Sequence, residues 1–242
     1  MLTVFIGYDP RDDKAFRVAE ASLKQRSSIQ VCVKPVKEWE CRKQGFSRSY
    51  MKTASGQMVD GVDAKPFSTE FSFTRFMVPH LMGFANEKCV FMDPDMLVRG
   101  DIAELLNLCT EDKAVWCVQH KHEPSETSKM DGVAQTLYLR KNWSSVVVWN
   151  PSRNTVLTPQ RVSELPGSYL HAFCWLKDEE IGAIPEAWNW LEGWSKPADP
   201  KIVHYTRGTP DFEGYENAPY ADEWRKMWKI RGPSELERTL WT

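Results

Sequence analysis

Lys88-Cys89-Val90-Phe91-Met92-Asp93-Pro94-Asp95-Met96-Leu97-Val98 is an apolar run interrupted twice by a carboxylate. Burying an ionised carboxylate without a partner is costly, so two acids one residue apart inside a core-like strand require a cation beside them. In an extended chain residues i and i+2 project to the same face, and Asp93 and Asp95 can therefore converge on one metal ion. Pro94 fixes its own φ and biases Asp93 away from helical geometry. A bare Asp-x-Asp also suits a polar turn capping a core strand, and the flanking sequence decides between the two.

Outward from this run, strand-like segments near residues 2–6, 29–33, 88–92, 114–118 and 145–149 alternate with helical patterns near 12–24, 69–78 and 101–108. The rhythm is that of an α/β protein. Continuous apolar stretches such as Val146-Val147-Val148-Trp149 predict a Rossmann-like, mostly parallel central sheet flanked by helices on both faces. In such open sheets ligands bind beyond the carboxyl ends of the strands, where Tyr8-Asp9 and Asp93-Pro94-Asp95 both fall. Residues 34–67 are polar and carry Lys34-Pro35, Gly45, Gly56, Gly61 and Lys65-Pro66, which predicts a long connection without regular structure. Beyond residue 150, recurrent prolines predict short helices and loops.

The 242 residues suffice for one domain with a sizeable core, and that is the expected organisation. With 31 basic and 33 acidic residues the formal net charge is -2, so no global field favours a polyanionic partner. Six scattered cysteines without a C-x-x-C pair read as reduced packing residues. The chain opens directly on the strand-like Leu2-Thr3-Val4-Phe5-Ile6, without a secretory leader, and no run is long enough to span a bilayer, so the expected location is cytoplasmic. Asn142-Trp143-Ser144 matches a glycosylation acceptor but carries little weight in that setting.

Three further segments carry chemistry. Gly7-Tyr8-Asp9-Pro10-Arg11-Asp12 joins a strand to a helix start, where Tyr8 offers a ring face to a base and backbone amides can meet an anion; helix capping by Asp9 or Asp12 is the plainer use. Arg75 sits among aromatic residues in Ser68-Thr69-Glu70-Phe71-Ser72-Phe73-Thr74-Arg75-Phe76, a capped helix start, and needs an anion, either an acid such as Glu70 or a ligand phosphate. Lys201-Ile202-Val203-His204-Tyr205-Thr206-Arg207-Gly208 runs from a strand into a turn. There a neutral His204 can join two carboxylates on a divalent ion, manganese or alternatively magnesium, while Gly208 and Arg207 suit a phosphate.

Taken in order, these blocks resemble the family 8 retaining glycosyltransferases, the group containing glycogenin and the bacterial lipooligosaccharide galactosyltransferases. Phe5-Ile6-Gly7-Tyr8-Asp9 resembles the family's nucleotide-binding first strand, and Thr74-Arg75-Phe76 its nucleotide-sugar helix. Phe91 to Ile102 resembles its Asp-x-Asp block, Trp143 to Asn150 the strand lining the donor sugar, and His204 to Gly208 the late metal motif. The resemblance implies a single GT-A domain over 1–242, with a nucleotide-sugar half at about 1–150 and an acceptor side at about 151–242. It implies a UDP-sugar donor and a manganese ion held by Asp93, Asp95 and His204. Tyr8, Asp9 and Arg75 would hold the nucleotide sugar, with Ser144, Ser145 and Asn150 nearby. Gly208 comes one residue later than in the family pattern and no Lys follows, so pyrophosphate contact falls to Arg207 or Lys201. The family's Asp-Gln-Asp block is replaced by Trp175 to Gly182, which makes Asp178 and Glu179 the candidate catalytic carboxylates, against a solvated-face alternative.

Two aromatic stretches remain. Trp188, Trp190 and Trp194 can stack on an acceptor sugar or pack a core. Tyr220 to Arg231 places Trp224, Met227 and Trp228 beside basic residues, an amphipathic helix that either docks on the body or meets a membrane surface or nucleic acid through its basic side. The acceptor class stays open among glycan, lipid, protein and modified nucleic acid. The expected activity is hexosyl transfer by a retaining enzyme. The alternatives are a sugar nucleotidyltransferase, which would show a Gly-rich triphosphate loop, and a non-catalytic carbohydrate-binding module.

Overall fold

The structure, a computed structural model, describes residues 1–109, 112–121, 140, 143–196 and 198–231. The Asn142 of the glycosylation match lies outside the described residues. The strands are β1 (Leu2–Gly7), β2 (Val31–Val36), β3 (Tyr50–Lys52), β4 (Met58–Asp60), β5 (Pro66–Phe67), β6 (Cys89–Met92), β7 (Met96–Val98), β8 (Val115–Cys117), β9 (Val146–Trp149), β10 (Ile181–Ala183), β11 (Trp190–Leu191) and β12 (Ile202–His204). The helices are α1 (Asp13–Arg26), α2 (Glu38–Lys43), α3 (Phe71–Thr74), α4 (Val78–Leu81), α5 (Ile102–Asn107), α6 (Pro159–Glu164), α7 (Gly167–His171) and α8 (Ala221–Arg231).

Six strands form the central sheet in the order β10-β8-β9-β6-β1-β2. β1 runs parallel to β2 and β6, and β10 parallel to β8, so the sheet is mostly parallel. The exception is β9, antiparallel to both β6 and β8. The run Val146 to Trp149, whose apolar continuity suggested a parallel strand, is thus the reversed one. It is buried on both faces as expected, and a run apolar on both faces has the same pattern in either direction.

Alternation along these strands separates two cores. Phe5, Phe91 and Val147 face α3, α4, α6 and α7, whereas Val4, Ile6, Val90, Met92 and Val148 face α1 and α5. Asp101 caps α5, accepting from the Ala103 amide at 3.0 Å.

A second sheet, β11-β12-β7, lies against α8, with Trp190, Val203 and Tyr205 packed on Trp224 and Met227. Trp224 and Met227 of α8 are therefore packed against the body, as the docking alternative has it. Among the described residues no helix is long and apolar enough to cross a membrane.

Residues 34–67 depart from expectation, since they carry the end of β2, helix α2 and a third, antiparallel sheet, β3-β4-β5. Its strands are two or three residues long, too short for an alternating pattern to register.

Candidate functional site

The first loop of the site follows β1. A Cβ on Gly7 would fall 2.6 Å from the Phe71 ring, so only glycine here lets the segment carrying Arg75 close down on the end of β1. Asp9 does more than cap a turn. Its buried carboxylate accepts from Arg11 Nε at 2.9 Å and Nη2 at 2.6 Å, and from the Glu70 amide at 3.1 Å, tying the loop to the start of α3. Burial opposes its charge, but these donors hold its pKa below the usual carboxylate range.

Tyr8 donates to Asp13 Oδ1 at 3.1 Å and stands edge-on to Phe16. It borders a cleft of about 220 Å³ shared with Asp13, Phe16, Arg17, Pro35 and Lys37 at the carboxyl ends of β1 and β2. Asp12, read from sequence as a helix cap, makes no capping hydrogen bond. Burial and the neighbouring carboxylates of Asp9 and Asp95 instead push its pKa up to about 6, which makes it a further acid at this rim.

β6 ends at Met92, and Asp93 continues from it, its amide donating to the Ser145 carbonyl at 2.9 Å. Pro94 then turns the chain into β7, which joins the second sheet. There β7 pairs with β12 so that Met96 faces His204, and the Asp95 backbone carbonyl accepts from the Tyr205 amide at 2.9 Å. The two carboxylates therefore bridge the two sheets, and the pairing delivers His204 to them. One donor atom each of Asp93, Asp95 and His204 lie within 4.8 Å of one another, with Asp93 and His204 buried. A polar turn capping a strand does not require the buried imidazole that this arrangement brings to the acids.

The electrostatics of the cluster suit a cation. Asp93 Oδ1 and Asp95 Oδ1 are buried and lack a hydrogen-bond donor. Arg75 Nη1 donates to the other Asp93 oxygen, Oδ2, at 3.3 Å and to the Ser144 carbonyl at 3.1 Å, and approaches Asp93 Oδ1 at 2.9 Å outside hydrogen-bonding geometry. The anion that Arg75 requires is Asp93, not Glu70. Its guanidinium lies 5.3 and 5.2 Å from the Phe71 and Phe91 rings. Burial, and then the charge on Asp95, push the Asp93 pKa up to about 6 despite Arg75. His204 Nε2 is 3.4 Å from Asp95 Oδ1. Burial disfavours its charged form, but Asp95 and Asp93 outweigh that and raise its pKa.

Two carboxylate oxygens and one imidazole nitrogen, with the oxygens short of donors, fit a divalent cation. Bonds of ~2.0 to 2.6 Å to one ion can span their separation. Asp93, Asp95 and His204 are the residues that would hold it.

Other expected residues fall differently. Ser144 and Ser145 precede β9 and reach the site through their carbonyls, whereas Asn150 follows β9 at the opposite end of the sheet. The four residues of β9 separate Ser145 from Asn150, five steps of ~3.4 Å or about 17 Å. There Asn150 accepts from Ser152 Oγ at 2.9 Å and its amide bonds the Ala114 carbonyl, a structural turn away from the donor site. Asp178 and Glu179 precede β10 at the same far end, because the Ala114 amide bonds the Glu180 carbonyl. Asp178 is 90 % exposed and pairs with Arg140, and Glu179 is 72 % exposed, so they form the solvated face. Lys201 sits at the amino end of β12, paired with Glu104 at 2.8 Å. Arg207 is exposed beside Gly193, beyond the His204 end of β12. Gly208 does admit a close approach, but by the Tyr215 ring, 2.8 Å from where its Cβ would be, and not by open space for a phosphate. Trp188 and Trp190 are core residues, while Trp194 is 50 % exposed.

Sequence reasoning missed Asn189 and His171. Asn189, fully buried between two tryptophans, touches both His204 and Ser145. His171 Nδ1 lies 2.8 Å from Ser144 Oγ. Neither residue has a spacing that marks it, since each acts through a contact remote in sequence.

No family model matches the chain. It is 44 % identical over 229 residues to Protein CDI of Arabidopsis thaliana, covering 91 % of this chain and 83 % of that protein. In structure it is similar to galactosyltransferase LgtC, crystallised with donor and acceptor sugar analogues, at TM-score 0.59 and 12 % identity over 98 % of this chain and 99 % of that one. It is also similar to glycosyltransferase GlyE of Streptococcus pneumoniae, at TM-score 0.58 and 16 % identity over 96 % of this chain and 63 % of that one. The chain spans about half of the bifunctional glycosyltransferase WbbM, 51 % of its length, at TM-score 0.55 and 16 % identity over 93 % of this chain. These likenesses establish a GT-A glycosyltransferase fold.

Proposed function

Because the chain belongs to the same family as Protein CDI of Arabidopsis thaliana and has a GT-A glycosyltransferase fold, we propose that it is a metal-dependent, retaining glycosyltransferase of family 8 type. It moves a sugar, a hexose first among candidates, from a UDP-sugar to an acceptor hydroxyl. The observation that carries this reading is the convergence of Asp93, Asp95 and His204 at the carboxyl rim of the sheet. These residues would hold manganese, or magnesium, which would supply Lewis-acid neutralisation of charge on the UDP leaving group. Tyr8 and the adjoining cleft receive the nucleoside, with Asp9 shaping that loop. Arg75 orients Asp93 and meets the nucleotide sugar, the Ser144 and Ser145 backbone lines the donor, and Arg207 stands at the pyrophosphate end. The domain is single, with nucleotide-sugar residues concentrated before about residue 150 and the acceptor side after it. Asn189 and His204 cross from the second half into the first.

UDP release from a panel of UDP-sugars, measured with manganese and with chelator, tests this. Metal-dependent release from at least one donor is expected, with Asp95→Ala folded but slower by on the order of 100-fold or more. Absence of metal-dependent hydrolysis or binding for every UDP-sugar would overturn the proposal, and unchanged turnover in Asp95→Ala would overturn the metal assignment.

A further inference from the structure

Resting on that metal-site reading, we infer that Asn189 is a positioning residue that decides which imidazole nitrogen of His204 is available to a cation. Asn189 is 0 % exposed at the end of a 3-10 turn just before β11. Its Nδ2 donates to Ser145 Oγ at 2.8 Å, and its Oδ1 faces His204 Nδ1 at 3.0 Å. A carbonyl oxygen can only accept, so His204 Nδ1 is the donor in this pair and carries a proton. The neutral ring then has its lone pair on Nε2, the nitrogen turned toward Asp95.

Reversing the amide would present NH₂ to Nδ1, place the ring proton on Nε2 and close the ring to a metal. The Ser145 hydroxyl, which can accept from Nδ2 or donate to Oδ1, holds the amide in place beside the ring, and Ser145 is itself fixed, because its carbonyl accepts the Asp93 amide at 2.9 Å. One continuous set of hydrogen bonds thus runs from the backbone of Asp93 through Ser145 and Asn189 to His204. It aligns ligands that come from two different sheets. Partners of this kind around a ligating histidine typically change metal affinity by ~10- to 100-fold when removed.

The test uses the whole chain, metal-free, with ¹⁵N-labelled histidine, the His204 signals among five histidines being identified by their loss in His204→Gln. At a pH where the ring is neutral, the wild type is expected to carry its proton on Nδ1, and Asn189→Ala to shift the population toward the Nε2 tautomer. Manganese affinity, measured by calorimetry on the same samples, is expected to fall ~10- to 100-fold in Asn189→Ala and to stay within about threefold of wild type, or rise, in Asn189→Asp, which keeps an acceptor. An Nε2-protonated wild type, an unchanged tautomer in Asn189→Ala, or wild-type affinity in that variant would overturn the inference. If Asn189→Ala does not fold, Ser145→Ala, which releases the amide, must weaken binding in the same direction, and wild-type affinity there would be equally fatal. Asp95→Ala separates the two levels. Affinity lost in Asp95→Ala but kept in Asn189→Ala removes only the role of Asn189, whereas affinity kept in both removes the metal site itself.

Discussion

His171 is a ring held neutral on both sides. Its Nδ1 lies 2.8 Å from Ser144 Oγ, a backbone hydrogen bond ties it to Ser72, and the Phe76 ring stands edge-on at 5.1 Å. Burial, then the positive charges of Arg75 and Arg48, push its pKa down to about 3. The unfolded chain takes up this proton near the ordinary value of ~6.5 while the folded chain refuses it, so stability falls as pH drops from there toward 3. Asp93 and Asp12, both raised to about 6, act with the opposite sign, because the folded state binds their protons first and gains stability as pH falls through 6. A difference measurement isolates the histidine. His171→Gln, which can keep a hydrogen bond to Ser144, is expected to lose less stability than wild type between pH 7 and about 4.5 in urea titrations. Parallel curves would refute the account. At this scale the candidate cation cluster was legible in the sequence because two acids in an apolar strand violate a physical rule, and His204 because of the turn that follows it. Asn189 and His171 were not, since an amide between tryptophans and a histidine in a short helix violate nothing.

At the scale of elements, the short sheet β3-β4-β5 depends on one buried ion pair. Arg48 and Asp60 are each 1 % exposed and meet at 2.6 Å. The same guanidinium donates to the carbonyls of Val162 at 3.0 Å and Leu165 at 2.7 Å, and lies 3.8 Å over the Phe73 ring. One side chain therefore pins the 50–67 segment to α6 and to the element that carries Arg75. Removing one partner leaves a buried charge unpaired. Asp60→Asn is expected to cost ~3 kcal/mol or more by urea unfolding, and Arg48→Met with Asp60→Leu, which removes both charges, to recover much of that loss. A double variant as unstable as the single one would contradict this. The pair explains why this region escaped the sequence reading, since its order comes from a contact between residues 12 apart and from carbonyls more than 100 residues away. The direction of β9 escaped for a different reason, since burial on both faces erases the difference between parallel and antiparallel neighbours. That direction matters, because it brings Ser144 and Ser145 to the site and sends Asn150 away.

Over the whole molecule, the α/β class and the central sheet follow from strand and helix periodicities that the chain displays openly. The second sheet was less visible, since β11 and β12 are two and three residues long and acquire their places by pairing, β12 with β7 and β11 with β12. Asp178 and Glu179 were misplaced because acidity alone does not report which end of the sheet a turn occupies.

The distribution of thiols gives the molecule an internal record of its own opening. Cys174 is exposed, whereas Cys41, Cys89 and Cys117 are buried, and burial pushes the Cys41 and Cys89 thiols up to about 12. An alkylating reagent at neutral pH therefore meets Cys174 at once and reaches the others only when the fold parts, on a schedule set by each region's stability. Cys89 lies on the strand that ends at Asp93, and Cys41 on α2, outside that strand. Manganese with UDP is expected to slow alkylation of Cys89 more than that of Cys41, as followed by mass spectrometry, and equal slowing would mean that ligand tightens the protein as one unit, with no preference for the site.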